Sequence, residues 1–388
     1  MNGFDSEWET TQNGQTGPIL EIGTQVGRCI SRVRWLHAGE TFIPDALATE
    51  FFLVSTYGED QSNTVSLWKL NAIETGYENK FKTTCLHKAN LAGNITGITV
   101  LDGDNFALTT SLGIMSVFKI SHKHVGLDSM EPSGFSLVDT RSLHSFSGRM
   151  PAPATDIVAT DPTSVVTVGE DGSIYEYSIK TKEIVRSFEK ADPLSISVVS
   201  SIGRSEIVTG NGGGQVKLWD LRSSSNQPVV VLCPNVLLNN LAGAVSIAQY
   251  PSQSHVLFVG YQSGCMDLWD IRRGTGCQPA ANLVSEASTG GAIGEIQFHR
   301  INEDHFFTCN QLGSISHWFP SEDDDVEMLQ RNLDNFEHLN IEFLRRGLSY
   351  LDMYSSPLAI NSLSISPNDR ILCGGDSGVA YITDISGV

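Results

Sequence analysis

Residues 214–221 read GQVKLWDL, and the pattern recurs to give seven copies along the chain. Each copy is a short strand-like stretch that ends at an equivalent position, found at residues 68, 118, 177, 219, 269, 318 and 383. Five residues earlier, six copies have a glycine and the first has an asparagine: Gly113, Gly172, Gly214, Gly264, Gly313, Gly378 and Asn63. Both residue types tolerate the positive φ that a tight hairpin requires. Each copy is therefore predicted to be a turn followed by the third strand of a repeated sheet.

The spacing of the copies predicts the fold class. Successive copies lie 42 to 65 residues apart, and the shortest spacing matches one blade of a WD-type propeller. The Trp-Asp dipeptide itself occurs at Trp219-Asp220 and at Trp269-Asp270, and Asp384 aligns with these aspartates. We therefore expect an all-β protein, a seven-bladed WD-repeat β-propeller.

The last blade is expected to take its fourth strand from the other end of the chain. Only Ile385 to Val388 follow Asp384, which is too short a stretch for a further strand. The stretch 19–26 (ILEIGTQV) precedes the predicted first strand of blade one, residues 30–36, and has no other place in the pattern. Closing the ring protects sheet edges that would otherwise recruit other chains. We predict that this stretch pairs beside the last blade.

The remaining segments are assigned around one propeller that spans residues 18–388. The polar residues 1–17 are predicted to be a disordered tail, and the connection 121–136 in blade two is predicted to be a solvent loop. The insertion 321–357 starts with Ser321 and acidic residues, followed by apolar residues at helical spacing. This predicts a short helix over 324–337 and the fourth strand of blade six within 338–344. The helix either packs on its own propeller or binds a partner.

Composition excludes several function classes. The net charge is −19, and Lys and Arg form no dense cluster, so direct binding of nucleic acid is not expected. The seven cysteines are scattered and odd in number, and no basic-then-apolar leader is present, which is typical of reduced thiols in an intracellular protein. No apolar run is long enough for a membrane span, so no membrane insertion is expected.

The sequence contains no set of residues that predicts catalysis, a metal, a cofactor or a small-molecule substrate. His122 and His124 lack a further ligand at metal-binding spacing and are interpreted as a loop pair. Cys85 and His87 are expected to face the same side of one strand. The glycine-rich stretch 210–215 joins two strands and is interpreted as a hairpin turn rather than a phosphate loop. Asp171, which precedes Gly172, is interpreted as a turn residue.

The residues at the ends of the repeats are the structural site residues that the sequence predicts. Because they occupy one equivalent place in every blade, we expect them to pack neighbouring sheets together rather than to bind a ligand. They are Trp68, Phe118, Tyr177, Trp219, Asp220, Trp269, Asp270, Trp318 and Asp384.

Three stretches resemble a particular group of WD-repeat proteins. These are SRVRW at 31–35, VVTVGEDGSIYEYSIKTKEIVRSFEKAD at 165–192 and NSLSISPNDRILCGGDSGVAYITDIS at 361–386. They are similar to the small WD-repeat nucleoporins of the outer-ring Y complex, which also carry an insertion before the last blade. The resemblance implies a non-enzymatic scaffold of the nuclear pore that supports transport of mRNA and protein. It also implies docking on an α-helical solenoid nucleoporin, contact with other Y-complex subunits, and a presence at kinetochores in mitosis.

Two other functions remain open from the sequence. Trp219 to Arg222 and Trp269 to Arg272 match the W-D-x-R end of the box by which substrate receptors bind cullin-RING ubiquitin ligases. The acid expected six residues before the tryptophan is replaced by Gly213 and Ser263. A propeller enzyme with its site in the central channel would need converging carboxylates, histidines or a metal, and the sequence pattern reveals no such set.

Overall fold

The computed structural model describes residues 22–36, 49–58, 62–75, 78–101, 104–125, 129–147, 150–234, 242–283, 291–321, 330–331, 339 and 341–386. Within these residues, antiparallel strands form seven sheets. The sheets are the blades of a β-propeller, which confirms the predicted fold class.

Each blade has four strands in chain order from the central channel to the rim, apart from the exceptions described below. Blade one consists of β2 (Ile30–Leu36), β3 (Glu50–Thr56), β4 (Ser62–Thr75) and β5 (Glu78–Ala92). Blade two consists of β6 (Ile95–Val100), β7 (Asn105–Thr110), β8 (Ile114–Val125) and β9 (Ser129–Ser142). Blade three consists of β10 (Ala154–Asp161), β11 (Ser164–Gly169), β12 (Ile174–Ser178) and β13 (Glu183–Phe188). Blade four consists of β14 (Ile196–Ser201), β15 (Glu206–Asn211), β16 (Val216–Asp220) and β17 (Val230–Leu232).

Blades five to seven take strands from distant parts of the chain. Blade five consists of β18 (Ala244–Gln249), β19 (Val256–Tyr261), β20 (Met266–Asp270), β21 (Ala281–Leu283) and a fifth strand, β25 (Gln330–Arg331). Blade six consists of β22 (Ile293–Phe298), β23 (Phe306–Asn310), β24 (Ser314–Pro320) and β26 (Leu348–Ser355). Blade seven consists of β27 (Ile360–Ile365), β28 (Arg370–Gly375), β29 (Val379–Asp384) and β1 (Ile22–Gln25). A 3₁₀ turn (Ile271–Arg273) and a short helix, α1 (Glu342–Arg346), complete the described elements.

The ring is closed by the N-terminal strand, as the sequence predicts. Strand β1 pairs antiparallel with β29, with Ile22 opposite Ile382 and Gln25 opposite Val379. The observed strand is shorter than the predicted 19–26, and residues 19–21 lie outside the described part of the chain. The predicted disordered tail, residues 1–17, also lies outside it. The pairing covers the free edge of β29, the exposure that closure is expected to remove.

The six glycines of the repeat have the backbone conformation that the hairpin turns require. Their φ angles lie between 69° and 91°. Most of them also allow a close approach: a Cβ on Gly172 would lie 2.1 Å from the carbonyl oxygen of Asp192, and one on Gly313 would lie 2.0 Å from that of Ser356. The first copy departs from this, because Asn63 is not among the described residues with positive φ. Its side chain instead donates a hydrogen bond to the carbonyl oxygen of Gly93.

Replacing Gly313 by alanine tests two requirements of the turn, a positive φ and the close approach of a neighbouring carbonyl oxygen. We expect Gly313→Ala to lower the free energy of unfolding by more than about 2 kcal/mol, because it adds a backbone clash to the strain of a positive φ. Gly27→Ala is the matched control, since Gly27 has a φ of 84° and nothing lies within 4 Å of its added Cβ. The control should cost only about 1–2 kcal/mol. Urea unfolding measures both variants, and equal losses would show that the close approach adds nothing.

The predicted loop at 121–136 is wrong. Strands β8 and β9 continue through most of this stretch as one long hairpin, with Val125 opposite Ser129. The physical reason is packing against the neighbouring blade, since Phe135 lies within the predicted loop and is buried there. Phe118, Ile120 and Phe135 are buried in the cluster between blades one and two, and this packing holds the extended hairpin against its neighbour.

The predicted fourth strand of blade six within 338–344 is also wrong. That strand is β26, and Glu342–Arg346 is helical. Leu339, Ile341 and Phe343 alternate as in a strand, but they are buried in the cluster between blades five and six. The predicted helix over 324–337 lies mostly outside the described residues. At Gln330–Arg331, which are described, the chain is extended and pairs with Ala281 and Asn282 of blade five, so the helix is wrong there.

Candidate functional site: central channel and turn face

The innermost strands enclose a channel with a cavity of about 370 Å³. Arg32, Arg34, Asp156 and Glu295 all line it. Sequence reasoning missed this set, because the four residues come from three blades and share no motif. The channel therefore has the converging carboxylates that a propeller enzyme would need, and their contacts decide whether they are available for chemistry.

Every innermost strand has the same irregularity near its start. The register with the second strand of the blade shifts at one residue, which is Ser31, Thr96, Thr155, Ser197, Val245, Gly294 or Asn361 in blades one to seven. Such bulges re-aim side chains locally. Thr96 donates to the carbonyl oxygen of Ala154 at 2.6 Å, Thr155 donates to that of Ile196 at 2.6 Å, and Asn361 donates to that of Ile30 at 2.9 Å. In these three cases the bulged side chain therefore bonds to the first residue of the next blade.

The residue after the bulge supplies the opposite hydrogen bond. Asp156 accepts from the backbone N–H of Val199 at 3.0 Å, and Glu295 accepts from that of Leu363 at 3.1 Å. Glu295 also accepts from the hydroxyl of Ser362 at 2.7 Å and forms an ion pair with Arg34 at 2.6 Å. An edge strand has unpaired N–H groups, and burying one without a partner costs about 1–3 kcal/mol. The two channel carboxylates therefore satisfy donors of the neighbouring blade.

The carboxyl group of Asp156 has a raised pKa. Burial raises the pKa of its carboxyl above the ordinary value, and the charge of Arg32 opposes this shift. A raised pKa in a cleft can mark a catalytic group, but structural hydrogen bonding explains this position. Within the described residues, no group of three or more His, Cys, Asp and Glu side chains is arranged to hold a metal ion.

A second arrangement in blade three resembles a catalytic relay. Asp171 accepts from Nδ1 of His144 at 2.8 Å, which leaves Nε2 to accept from the hydroxyl of Thr167 at 3.0 Å. Burial raises the pKa of Asp171, but hydrogen bonds from His144 and from the N–H of Ser173 and Ser145 lower it more, so that it lies below its usual range. His144 and Thr167 are fully buried, so a substrate has no access to the hydroxyl. We interpret the chain of bonds as a support for the turn.

This network was not predicted. Asp171 does lie in a turn, since Gly172 N–H donates to the carbonyl oxygen of Gly169, but its partner His144 comes from the connection before the blade. The available signal was weak, because the Gly-His dipeptide that marks this histidine in WD repeats is replaced by Leu143-His144. A single histidine about ten residues before the innermost strand is the remaining clue.

Two other sequence interpretations are corrected by the strand registers. Cys85 lies opposite Trp68 and His87 lies opposite Leu67, so a bulge between them places the two side chains on opposite faces, not on the same face. His122 and His124 lie on strand β8 and not in a loop. Nε2 of His122 is 3.7 Å from a carboxylate oxygen of Asp104. The stretch 210–215 is the predicted hairpin turn, with Gly214 N–H bonded to Asn211.

The repeat-end residues lie where neighbouring blades meet. Phe118, Tyr177, Trp219, Trp269 and Trp318 are buried in clusters that contain residues of an adjacent blade. Trp68 is partly buried against the cluster between blades one and seven. The carboxylate of Asp384 accepts from the N–H of Ser386 at 2.7 Å. Their role in holding the ring together stays a prediction, which the Trp219 variant described in the Discussion tests.

The two W-D-x-R ends are internally paired. Arg222 forms hydrogen bonds with Asp220 at 3.0 and 3.2 Å, and Arg272 forms them with Asp270 at 3.0 and 2.7 Å. Both arginines are exposed, with the side chain of Arg222 70% accessible. Each arginine therefore already neutralises the aspartate of its own repeat.

Among the described residues, one face of the ring carries most of the exposed apolar side chains outside the rim. We call it the turn face, because it contains the glycine turns and the connections between blades. Its exposed apolar residues come from blades two, three, six and seven or their connections: Leu112, Phe146, Met150, Leu194, Leu312 and Leu358. Met150 is 65% exposed and Leu312 is 58% exposed. The opposite face has the charged Asp220–Arg222 and Asp270–Arg272 pairs. Exposed apolar side chains gain free energy when a partner covers them, so the turn face is the candidate partner-binding surface.

Blade six contains a buried stack of histidines. His305 Nδ1 and His317 Nε2 are 2.9 Å apart, and the ring of Phe307 stacks on His317. Burial lowers the pKa of His317 to about 3, and the nearby His305 and His299 contribute. The pKa values of His305 and His299 are also lowered, chiefly by burial. A positive charge on any of these three rings is therefore disfavoured in the folded protein.

Acid should therefore destabilise the protein through His317. The folded state has the lower pKa, so the stability is complete above the unfolded value of about 6.5 and is lost as the pH falls toward about 3. Between about pH 7 and about pH 5, we expect His317 to account for a loss of about 2 kcal/mol. Urea unfolding of the wild type and of His317→Phe at both pH values measures this. An identical pH dependence of the two proteins would contradict the assignment.

Among the described residues, the structure contains no helix with the length and apolarity that crossing a bilayer requires.

Comparison with known proteins identifies relatives over nearly the full chain. Nucleoporin Nup43 of Homo sapiens is 29% identical over 388 residues, which cover 92% of this chain and 97% of that protein. Nucleoporin Nup43 of Mus musculus is 27% identical with the same coverage. A nuclear pore complex protein nup43 of Dictyostelium discoideum is 26% identical and covers 58% of this chain. These relatives confirm the resemblance to the small WD-repeat nucleoporins.

A family model describes the larger part of the ring. The model for the N-terminal β-propeller domain of nucleolar protein 10-like proteins matches residues 138–384. This region contains blades three to seven apart from the closing strand β1. Because the match covers more than half of the residues, the chain belongs to the family of nucleolar protein 10-like N-terminal β-propeller domains.

Proposed function

We propose that this chain is a scaffold subunit of the nuclear pore complex that acts by binding proteins and not by catalysis. The observation that carries the proposal is its similarity to nucleoporins named Nup43 across 92% of its length. The proposal includes a place in the outer-ring Y complex, where the chain supports transport of mRNA and protein, and an association with kinetochores in mitosis.

The absence of catalysis is supported by how the polar groups are used. The channel carboxylates Asp156 and Glu295 accept hydrogen bonds from the next blade. The His144–Asp171 pair is closed off from solvent. Catalytic groups need access to substrate and a position for the reacting atom. Neither arrangement offers both.

The proposed partner is an α-helical solenoid nucleoporin, together with other Y-complex subunits, and the turn face is the proposed contact. A helical solenoid can present apolar ridges to a flat surface, and apolar burial contributes roughly 25 cal/mol per Å². The turn face supplies exposed Leu, Met and Phe side chains on short connections that the rigid ring holds in place. Such loops on rigid scaffolds are common binding sites.

Recruitment to the nuclear envelope tests the function and the surface together. We expect a fluorescently tagged chain to give a nuclear rim signal and to cross-link to pore-scaffold solenoids. Met150→Glu combined with Leu312→Glu should reduce recruitment strongly, because both changes bury a charge in the contact. Val229→Glu with Ile301→Glu is the matched control, since these apolar residues are exposed away from the turn face. Wild-type protein that never reaches the pore contradicts the function, whereas equal recruitment of both variants contradicts only the surface.

A further inference from the structure

The rim strand of blade three is an open sheet edge. Strand β13 is the outermost strand of its sheet, and no described strand pairs with its outer side. Most of its residues are exposed, and its two apolar side chains Ile184 and Val185 are 48% and 61% accessible. A register shift places Val185 outside the regular ladder. Edges with exposed apolar residues are templates for pairing with another chain.

The protein already uses strand addition at the equivalent place in another blade. In blade five, the short strand β25 from the insertion pairs with the rim strand β21, with Ala281 opposite Arg331. Two residues are enough to add this fifth strand. Blade three offers a longer rim strand, six residues against three, and the described part of the chain does not cover it.

Charge around this edge differs in sign from that of the whole protein. The stretch 180–190 contains Lys180, Lys182, Arg186 and Lys190 but only Glu183 and Glu189 as acids, whereas the full chain has a net charge of −19. Lys182 lies against blade two, where its amine donates to the carbonyl oxygen of Val138 and its carbonyl oxygen accepts from Arg141. Asp139 is already engaged by Arg141 and by the hydroxyl of Tyr177. Arg186 lies opposite Glu176 of β12, so the positive charge of the edge comes from Lys180, Lys182 and Lys190 at its two ends.

We propose that the outer edge of blade three binds an extended, acidic segment of another polypeptide as a fifth strand. Backbone pairing supplies the attachment, and alternate apolar side chains of the segment contact Ile184 and Val185, as in other strand-addition complexes. The cations at the two ends of β13 select an acidic segment and speed its association. A second copy of this chain is disfavoured at this edge, because two positive edges would face each other.

A defined peptide tests this edge directly. The probe is a fluorescent eight-residue peptide of alternating glutamate and valine, and the same peptide with lysine in place of glutamate is its control. We expect anisotropy to show binding of the glutamate peptide only, with an affinity that falls as salt rises. Hydrogen exchange should show protection of the amides of residues 183–188 in the complex.

Two double variants show whether the peptide binds at β13 or responds only to the net charge of the protein. Ile184→Asp with Val185→Asp should weaken binding by about tenfold or more, because it places two charges on the edge that repel the probe. Val229→Asp with Ile301→Asp changes the net charge equally at exposed positions elsewhere and should bind as the wild type does. Equal binding by the two variants, binding of the lysine peptide, or no protection of β13 would overturn the proposal. Dimerisation of the wild type through β13, seen by sedimentation, would replace the partner with a second copy.

This inference rests on the proposed function only in treating the propeller as a protein-binding subunit. The peptide experiment uses no nuclear pore protein. If the chain reaches the pore but does not bind the peptide, the proposed function stands and the proposed binding edge is wrong. If it binds the peptide but does not reach the pore, the binding edge stands and the proposed function is wrong.

Discussion

Replacing Arg370 by methionine is expected to lower the free energy of unfolding by about 3–5 kcal/mol. Arg370 is nearly fully buried and forms an ion pair with Glu50, which is also buried. Its guanidinium stacks on the ring of Phe81 at 4.6 Å from the ring centre. The pair joins the second strand of blade seven to the second strand of blade one, at the joint where the ring closes. Removing only the cation leaves a carboxylate in the core without its opposite charge.

Two comparisons show whether the buried charge is the cause. The double variant Glu50→Met with Arg370→Met should recover much of the loss, because apolar side chains of similar volume can replace a buried ion pair. Arg346→Met breaks the exposed pair between Arg346 and Glu342 and should cost less than about 1 kcal/mol. Urea unfolding with an unchanged m value measures all three. A loss below about 1 kcal/mol for Arg370→Met would contradict this account.

Replacing Trp219 by alanine is expected to cost about 3–5 kcal/mol. The side chain is fully buried in a cluster that contains Val168 and Phe188 of blade three and Val199 of blade four. Its indole N–H donates to the hydroxyl of Thr209 at 2.9 Å. The substitution therefore creates a cavity between two blades and leaves the Thr209 hydroxyl without this donor.

Trp219→Phe and Val229→Ala are the comparison variants for the loss of stability in Trp219→Ala. The phenylalanine variant keeps most of the apolar contact and loses the indole donor, so we expect a cost of about 1–2 kcal/mol. Val229 is largely exposed, and its truncation should change stability by less than about 0.5 kcal/mol. Calorimetry or urea unfolding ranks the variants. If Trp219→Ala were no worse than Val229→Ala, the repeat-end aromatic residues would not hold the blades together.

The local parts of the fold were predictable because they depend on near neighbours in sequence. A glycine five residues before Trp219 or Trp318 determines both a turn and the strand that follows it. The N-terminal closing strand was predictable by elimination, since one strand was missing from the last blade. Errors arose where burial depends on a neighbouring blade. Leu339, Ile341 and Phe343 alternate as a strand would, yet they fill the space between blades five and six.

The polar networks could not be predicted for a related reason. Asp156 and Glu295 stand in innermost strands whose sequences give no sign of the register shift before them. The shift turns each carboxylate toward a donor that lies tens of residues later in the chain, at Val199 and Leu363. His144 likewise meets Asp171 across a connection. Pairings of this kind follow from the shape of the ring, which no short motif encodes.

The pairing of β1 with β29 has a consequence for folding during translation. Residues 22–25 are synthesised long before their partners at 379–382. Blades two to six can fold as they emerge, because their hydrogen-bonded strands are close in the chain or arrive soon after. The pairing of β1 with β29 cannot form until residues 379–382 have been synthesised, so the edge of β1 stays unpaired while blades one to six are made. We expect chaperones to protect the unpaired edge of β1 until β29 is available.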